Sequence, residues 1–161
     1  MVDKMLFRQV CSMFATGVTV VTTGRDGNYH GMTANAFAVG VSLEPTLVLV
    51  CLDRNSRTCA LLDDTGAFTV NILSEDQQEV SRVFASRDLD ARRFEGLDFT
   101  PGPNGTPVLE GCIATMQCNL FSRQDAGDHA IFVGEVTDAQ VVSDSGAPLV
   151  YYRSAYRRLA D

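Results

Sequence analysis

Tryptophan is absent from this 161-residue chain, lysine occurs once, as Lys4, and histidine twice, as His30 and His129. The five cysteines, Cys11, Cys51, Cys59, Cys112 and Cys118, include no C-x-x-C pair and lie in apolar contexts, so reduced, mostly buried thiols are expected and no metal site. No G-x-G-x-x-G occurs, which argues against a Rossmann-type nicotinamide site. An excess of basic charge is also missing: 13 Lys and Arg stand against 20 Asp and Glu, for a net charge of −7 and a pI near 4.7. That balance excludes nucleic acid as the expected partner. No run approaches the roughly 20 apolar residues needed to span a bilayer, and Met-Val-Asp-Lys-Met lacks a charged-then-apolar leader. The expectation is a cytoplasmic protein with no membrane partner.

What is present is ordinary for a globular chain, with 45% hydrophobic and 20% charged residues. Residues 1–161 read as a single domain, because no repeat, low-complexity tract or linker divides them. The densest chemistry lies between Gly31 and Thr58. There G-M-T-A-N-A-F is followed by the apolar run Thr46–Leu52 and then by D-R-N-S-R-T. Thr33 and Asn35, two apart on an extended segment, point to one face, where a hydroxyl and an amide can hydrogen-bond a heterocycle edge. Ala34 and Ala36 are small enough for a ring to approach the backbone. A strand that ends in Asp53, Arg54, Asn55, Ser56 and Arg57 and turns into a helix at Thr58 builds an anion site. The first amides and the positive helix end face the anion, and the arginines add forked donors. The alternative is that Asn55 or Ser56 simply caps the helix while the arginines are solvated.

The rest of the pattern is that of a mainly β protein. Asp3 caps an opening helix with Leu6, Val10, Met13 and Phe14 on one face. Strands are expected at Gly17–Thr23, Tyr29–Val41, Thr46–Leu52 and Ala67–Leu73, with Gly24-Arg-Asp-Gly27 closing the first hairpin. Ser74 and Gln77 form a capping box that starts a second helix running to about Ala85, with Val80, Val83 and Phe84 inward. Asp88–Gly111 reads as a surface loop. Long strands at Cys112–Ser122 and His129–Val142 follow, joined by Arg123–Asp128. Many strands, two or three helices and no βαβ alternation indicate a small β-barrel decorated by helices.

These segments, together with F-A-T-G-V-T-V-V-T at Phe14, F-A-S-R at Phe84, G-D-H at Gly127 and Y-Y-R-S-A-Y at Tyr151, resemble the short-chain flavin reductases. Those are the reductase components of two-component flavin monooxygenases. The resemblance runs from about Phe7 to the C-terminus in the family's order. It implies a split β-barrel that binds FAD or FMN in a groove and accepts NADH or NADPH against the exposed ring, as well as a homodimer. The reaction it implies is hydride transfer between two cofactors, so the protein needs to align and stabilise rather than supply a nucleophile or general base.

By the same resemblance, Thr33, Ala34, Asn35 and Ala36 would meet the flavin ring. Cys51, Leu52 and Asp53 would lie near the ring or ribityl chain, and Ser56, Arg57 and Thr58 would take the phosphate. Phe84, Ser86 and Arg87 would reach the phosphate or adenylate end. Asp128 and His129, with Tyr156, would contact and orient the nicotinamide nucleotide, and Tyr152 and Tyr156 could also cover the flavin or pack at an interface. Cys51 and Phe84 read equally as core residues, and His30 as structural or exposed. Selection of a nicotinamide 2′-phosphate needs an arginine, for which Arg25, Arg92, Arg93, Arg123 and Arg153 are candidates. The resulting expectation is an NAD(P)H:flavin oxidoreductase that feeds reduced flavin to a separate monooxygenase. The alternatives are a tightly flavin-bound oxidoreductase with a dedicated substrate, or a flavin-binding protein without turnover.

Overall fold

A computed structural model of the protein describes residues 2–159. The opening helix α1 (Lys4–Ser12) begins where Asp3 Oδ2 accepts from the amides of Met5 and Leu6, at 3.1 and 3.0 Å. Its apolar side chains stay exposed, so among the described residues no element covers the apolar face of the helix. After the short β1 (Thr16–Gly17) come β2 (Thr19–Arg25), β3 (Asn28–Ala34), β4 (Phe37–Leu43) and β5 (Thr46–Asp53). Helix α2 (Arg57–Thr65), β6 (Ala67–Ile72) and helix α3 (Gln78–Ala85) follow. Next are the small hairpin β7 (Phe99–Pro101) and β8 (Pro107–Leu109) and the long hairpin β9 (Ala114–Ala126) and β10 (His129–Val141). The last strands are β11 (Val150–Tyr152) and β12 (Ala155–Arg157).

Seven strands form one antiparallel sheet in the order β3-β2-β6-β9-β10-β5-β4, while β1, β11 and β12 form a second, three-stranded sheet. The chain adopts the expected mainly β class, and among the described residues it has three α-helices where two or three were expected. The hydrogen-bonded ladder does not close. Strands β3 and β5 come into contact without sharing a ladder, and this leaves a seam. β2 divides the core, because alternate residues point to opposite faces. Val21 joins Val50, Leu52, Phe68 and Phe132 within the sheet, while Val20 joins Leu73, Phe84, Leu109 and Leu149 beneath α3. Burial pushes the thiols of Cys112 and Cys118 up to about 12, consistent with inert core cysteines. Cys11, by contrast, is exposed.

Four sequence expectations need correction. The strand Tyr29–Val41 breaks at Asn35 and Ala36, where the Phe37 amide turns back onto Asn35 O at 2.9 Å. The chain thereby crosses from one edge of the sheet to the other. The second helix starts at Gln78 rather than Ser74, because Ser74 bridges Pro148 and the Glu75 amide bonds Ala147 O. Half of the capping box survives, with Gln77 Oε1 accepting from the Ser74 amide at 3.1 Å. Within Asp88–Gly111 lie a 3-10 turn at Asp90–Arg92 and the β7–β8 hairpin, anchored by Phe94, Leu97 and Phe99 against the second core. The connector Arg123–Asp128 is mostly strand, with only Gly127 and Asp128 at its tip.

Candidate functional site

The seam between β3 and β5 opens at their C-terminal ends into a cleft of about 750 Å³. β3 supplies Met32 and Thr33, β5 supplies Asp53, and α3 supplies Phe84 and Ala85. β3 can pass under α3 because residue 31 is glycine. A Cβ there would stand 2.7 Å from Val21 O and 3.0 Å from a Phe84 ring carbon. Thr33 Oγ1 donates to Ser81 O at 2.6 Å, which fixes the strand end against α3.

One end of the cleft is built for an anion. Ser56 caps α2, accepting from the Cys59 amide at 3.1 Å and donating to Asp53 O at 2.7 Å. Arg57 and Thr58 then occupy the first two helical positions, whose amides have no intrahelical acceptor and sit at the positive end of the dipole. Arg57 is exposed and donates to Asn28 Oδ1 at 3.1 Å, and Arg87 reaches Asp53 at 3.4 Å. Asp53 also accepts from the Asn55 amide at 2.9 Å, so it organises the turn that presents the helix start. Arg54 is not part of this end. It donates to Gly127 O at 3.2 Å and pairs with Asp125, bracing the β9–β10 tip.

His129 also lines the cleft, paired in register with Asp53 across β10 and β5. Its Nδ1 lies 2.8 Å from Asp128 Oδ1. A carboxylate only accepts, so Nδ1 carries the proton in this bond and Nε2 is left for a ligand. The bond to His129 holds the Asp128 carboxyl below its ordinary range.

Thr33, Asp53, Ser56, Arg57, Phe84, Arg87 and His129 thus converge on one cleft. Phe84 contributes an edge while remaining a core residue, at 1% exposure. Ala34, Leu52 and Thr58 are buried, and Cys51 is half-buried within β5 with its thiol pushed up by burial. None of these four lines the cleft. Asn35 and Ala36 face a separate cavity of about 410 Å³ bordered by Cys11 and Phe14 beside α1. Asn35 meets Thr33 and Tyr156 in a smaller one of about 290 Å³. Tyr156 bonds Ser81 Oγ at 2.8 Å. Tyr152 lies under the Arg153 guanidinium at 5.3 Å and borders none of these spaces. Ser86 offers its carbonyl to Arg93 at 2.9 Å.

Sequence reasoning missed a buried support behind the anion end. His30, 2% exposed, bonds Thr58 Oγ1 through Nδ1 at 2.9 Å and meets the Asp90 carboxylate through Nε2 at 3.2 Å. Burial lowers its pKa despite Asp90. Arg93 is also buried. It donates to Gly31 O and Ser86 O and pairs with Asp90 at 3.0 Å, and burial lowers its pKa as well. Together they fix the turn at Asp90 to α2 and β3. The sequence signal for this was a histidine three residues before the T-A-N-A segment, which reads as structural or exposed.

Residues 11–160 match the flavin reductase-like domain family. The reductase subunit HsaB of a flavin-dependent monooxygenase from Rhodococcus jostii is 41% identical over 96% of this chain and 77% of its own length. A flavin reductase from Pseudomonas putida is also 41% identical, over 96% of this chain and 89% of its own. Among solved structures, the NADH:FAD oxidoreductase SgcE6 of Streptomyces globisporus, in complex with NAD and FAD fragments, superposes with a TM-score of 0.91 at 34% identity. That match covers 98% of this chain and 93% of the other.

Proposed function

This chain belongs to the flavin reductase-like domain family, and from that premise we propose that the β3–β5 cleft is where it binds flavin and carries out its reaction. The chain is an NADH-dependent flavin reductase that reduces FAD or FMN and supplies reduced flavin to a partner monooxygenase. The observation that carries the assignment of the cleft is the convergence, across an unclosed seam, of an apolar floor with a cationic helix start. Met32, Phe84 and Ala85 suit a flat heterocycle, and the α2 amides, Arg57 and Arg87 suit its phosphate.

When both cofactors are bound, the chemistry is hydride transfer from the nicotinamide to the flavin, and the reacting atoms all belong to the cofactors. The protein's part is to hold and orient. Thr33 and its neighbours limit the depth of the cleft, and α2 with Arg57 and Arg87 fixes the phosphate end. Asp128 sets the His129 tautomer so that Nε2 can meet the nicotinamide nucleotide at the open rim. NADPH is a second nicotinamide substrate to test, since a related reductase, HpaC, is known in complex with NADP+. We further read the protein as a cytoplasmic homodimer. The apolar face of α1 supports the dimer, and among the described residues no helix is long and apolar enough to cross a membrane.

The test is anaerobic stopped-flow absorbance in the oxidised-flavin band, with FAD or FMN and then NADH or NADPH. Repeated bleaching of excess free flavin is expected. Bleaching of one bound equivalent only would instead mark a dedicated flavoenzyme, and no bleaching a binding protein.

A further inference from the structure

The tip of the long β9–β10 hairpin, Gly127 and Asp128, overhangs the sheet that carries it. The pairing of β10 with β5 ends at His129 and Asp53, and that of β10 with β9 at His129 and Ala126, so no neighbouring strand pairs with the tip. An exposed tip of this kind moves unless other contacts hold it. Arg54 holds it at three points. Its amide donates to Asp128 O at 3.1 Å, its Nη1 donates to Gly127 O at 3.2 Å, and its Nη2 lies 3.2 Å from Asp125 Oδ2.

The hold extends to α2. Asp125 gives its second oxygen to Arg123 Nη1 at 2.7 Å, and Arg123 Nε reaches Asp63 on α2 at 2.8 Å. Charges of alternating sign therefore run from α2 to the turn after β5 through Asp63, Arg123, Asp125 and Arg54. Arg54 and Asp125 are each 45% exposed, and one such pair in isolation contributes little. Here the pair is one link of a network, and the Arg54 fork is shared between a carboxylate and a backbone carbonyl, which fixes its plane. Neither Arg54 nor Asp125 lines the cleft. What they hold is the segment that leads into His129, which does line it.

We propose that Arg54 and Asp125 are positioning residues for nicotinamide use: they lock the β9–β10 tip, and the lock sets where His129 stands in the cleft. The inference rests on the reading of His129 as the group that meets the nicotinamide nucleotide. It gives the first arginine of D-R-N-S-R-T a role apart from the anion end that Arg57 serves.

Arg54→Gln and Asp125→Asn cut the same link and change the charge in opposite directions. Positioning predicts the same result from both, a KM for NADH raised about threefold or more with the flavin Kd unchanged. Charge acting at a distance on the anionic nucleotide predicts opposite results, a raised KM for Arg54→Gln and a lowered one for Asp125→Asn, and that pattern would overturn the proposal. A flavin Kd raised in step with the KM would overturn it too, since the lock would then serve the anion end. The double variant should be no worse than Arg54→Gln alone, and additive losses would count against a shared link. A further readout needs no nicotinamide. Imidazole proton–nitrogen correlation spectra contain two histidines, and the His129 signals should shift in both variants while those of His30 stay in place. Unmoved His129 signals would overturn the proposal. His129→Ala separates the two readings. If it raises the KM for NADH while Arg54→Gln and Asp125→Asn leave the KM unchanged, the lock is refuted and the His129 reading stands. If it leaves the KM unchanged, the His129 reading itself is refuted.

Discussion

At the scale of single residues, Arg57 and His129 both line the cleft and can be tested separately. Arg57→Ala removes an exposed cation from the helix start, and a charge-assisted contact of this kind contributes about 1.5–3 kcal/mol. The expected result is a flavin Kd raised about tenfold or more, with kcat at saturating flavin little changed. His129→Ala leaves the anion end intact, so KM for NADH should rise while flavin affinity holds. Loss of both together would place His129 in the flavin site. His30 offers a test that does not involve catalysis. Burial depresses its folded pKa below the ordinary imidazole value of about 6.5, so the unfolded chain takes up the proton first. The stability from a neutral His30 is therefore present above about pH 6.5 and is lost as pH falls toward the lower folded value. Thermal unfolding from pH 7.5 to 5 should show a falling Tm in the wild type and a shallower fall in His30→Gln.

At the scale of elements, the approach of β3 to α3 is the contact the cleft depends on, and Gly31 permits it. Gly31→Ala forces the new methyl against Val21 O and the Phe84 ring, an overpacking that costs about 1–3 kcal/mol. The shift of Phe84 should also weaken flavin binding, so a lowered Tm and a raised Kd are expected together in calorimetry and titration. Elements whose signals are local were legible in the sequence. Asp3 and Ser56 cap their helices, Asp26 and Gly27 take positive φ in the first hairpin, and Thr46–Asp53 is a buried strand. What could not be read depends on distant partners. The break at Asn35 exists because β3 pairs with β2 and β4 with β5, and α3 is shortened because Pro148 claims Ser74. The site divides in the same way. Ser56, Arg57 and Asp53 were legible because the turn and the helix cap are contiguous. Arg54 was misplaced because its partner Asp125 comes from the far β9–β10 tip, and the support of Asp90 and Arg93 behind His30 spans three separate segments.

At the scale of the whole molecule, an apolar surface around α1 is left uncovered. Met5, Leu6, Phe7, Val10, Met13 and Phe14 are all exposed, Phe14 at 77%, as are Val39, Val41 and Leu43 on the sheet-edge strand β4. Contiguous apolar surface and an unpaired apolar edge are costly in a monomer and are ordinarily covered. A second copy of the chain is the occupant consistent with the homodimer reading. Asn35 and Ala36, which lead into β4, share a cavity with Cys11 and Phe14 of this face, so covering α1 would also enclose the far end of the T-A-N-A segment. Sedimentation equilibrium should therefore give about twice the 17.5 kDa chain mass. The double variant Val10→Asp, Phe14→Asp should shift the mass toward that of one chain, because two desolvated carboxylates oppose burial of the face. Flavin affinity should fall in that monomer if the covered face supports the cleft through Asn35. A monomer with unchanged flavin affinity would show that each cleft is complete within one chain, and a variant that remains dimeric would place the interface elsewhere.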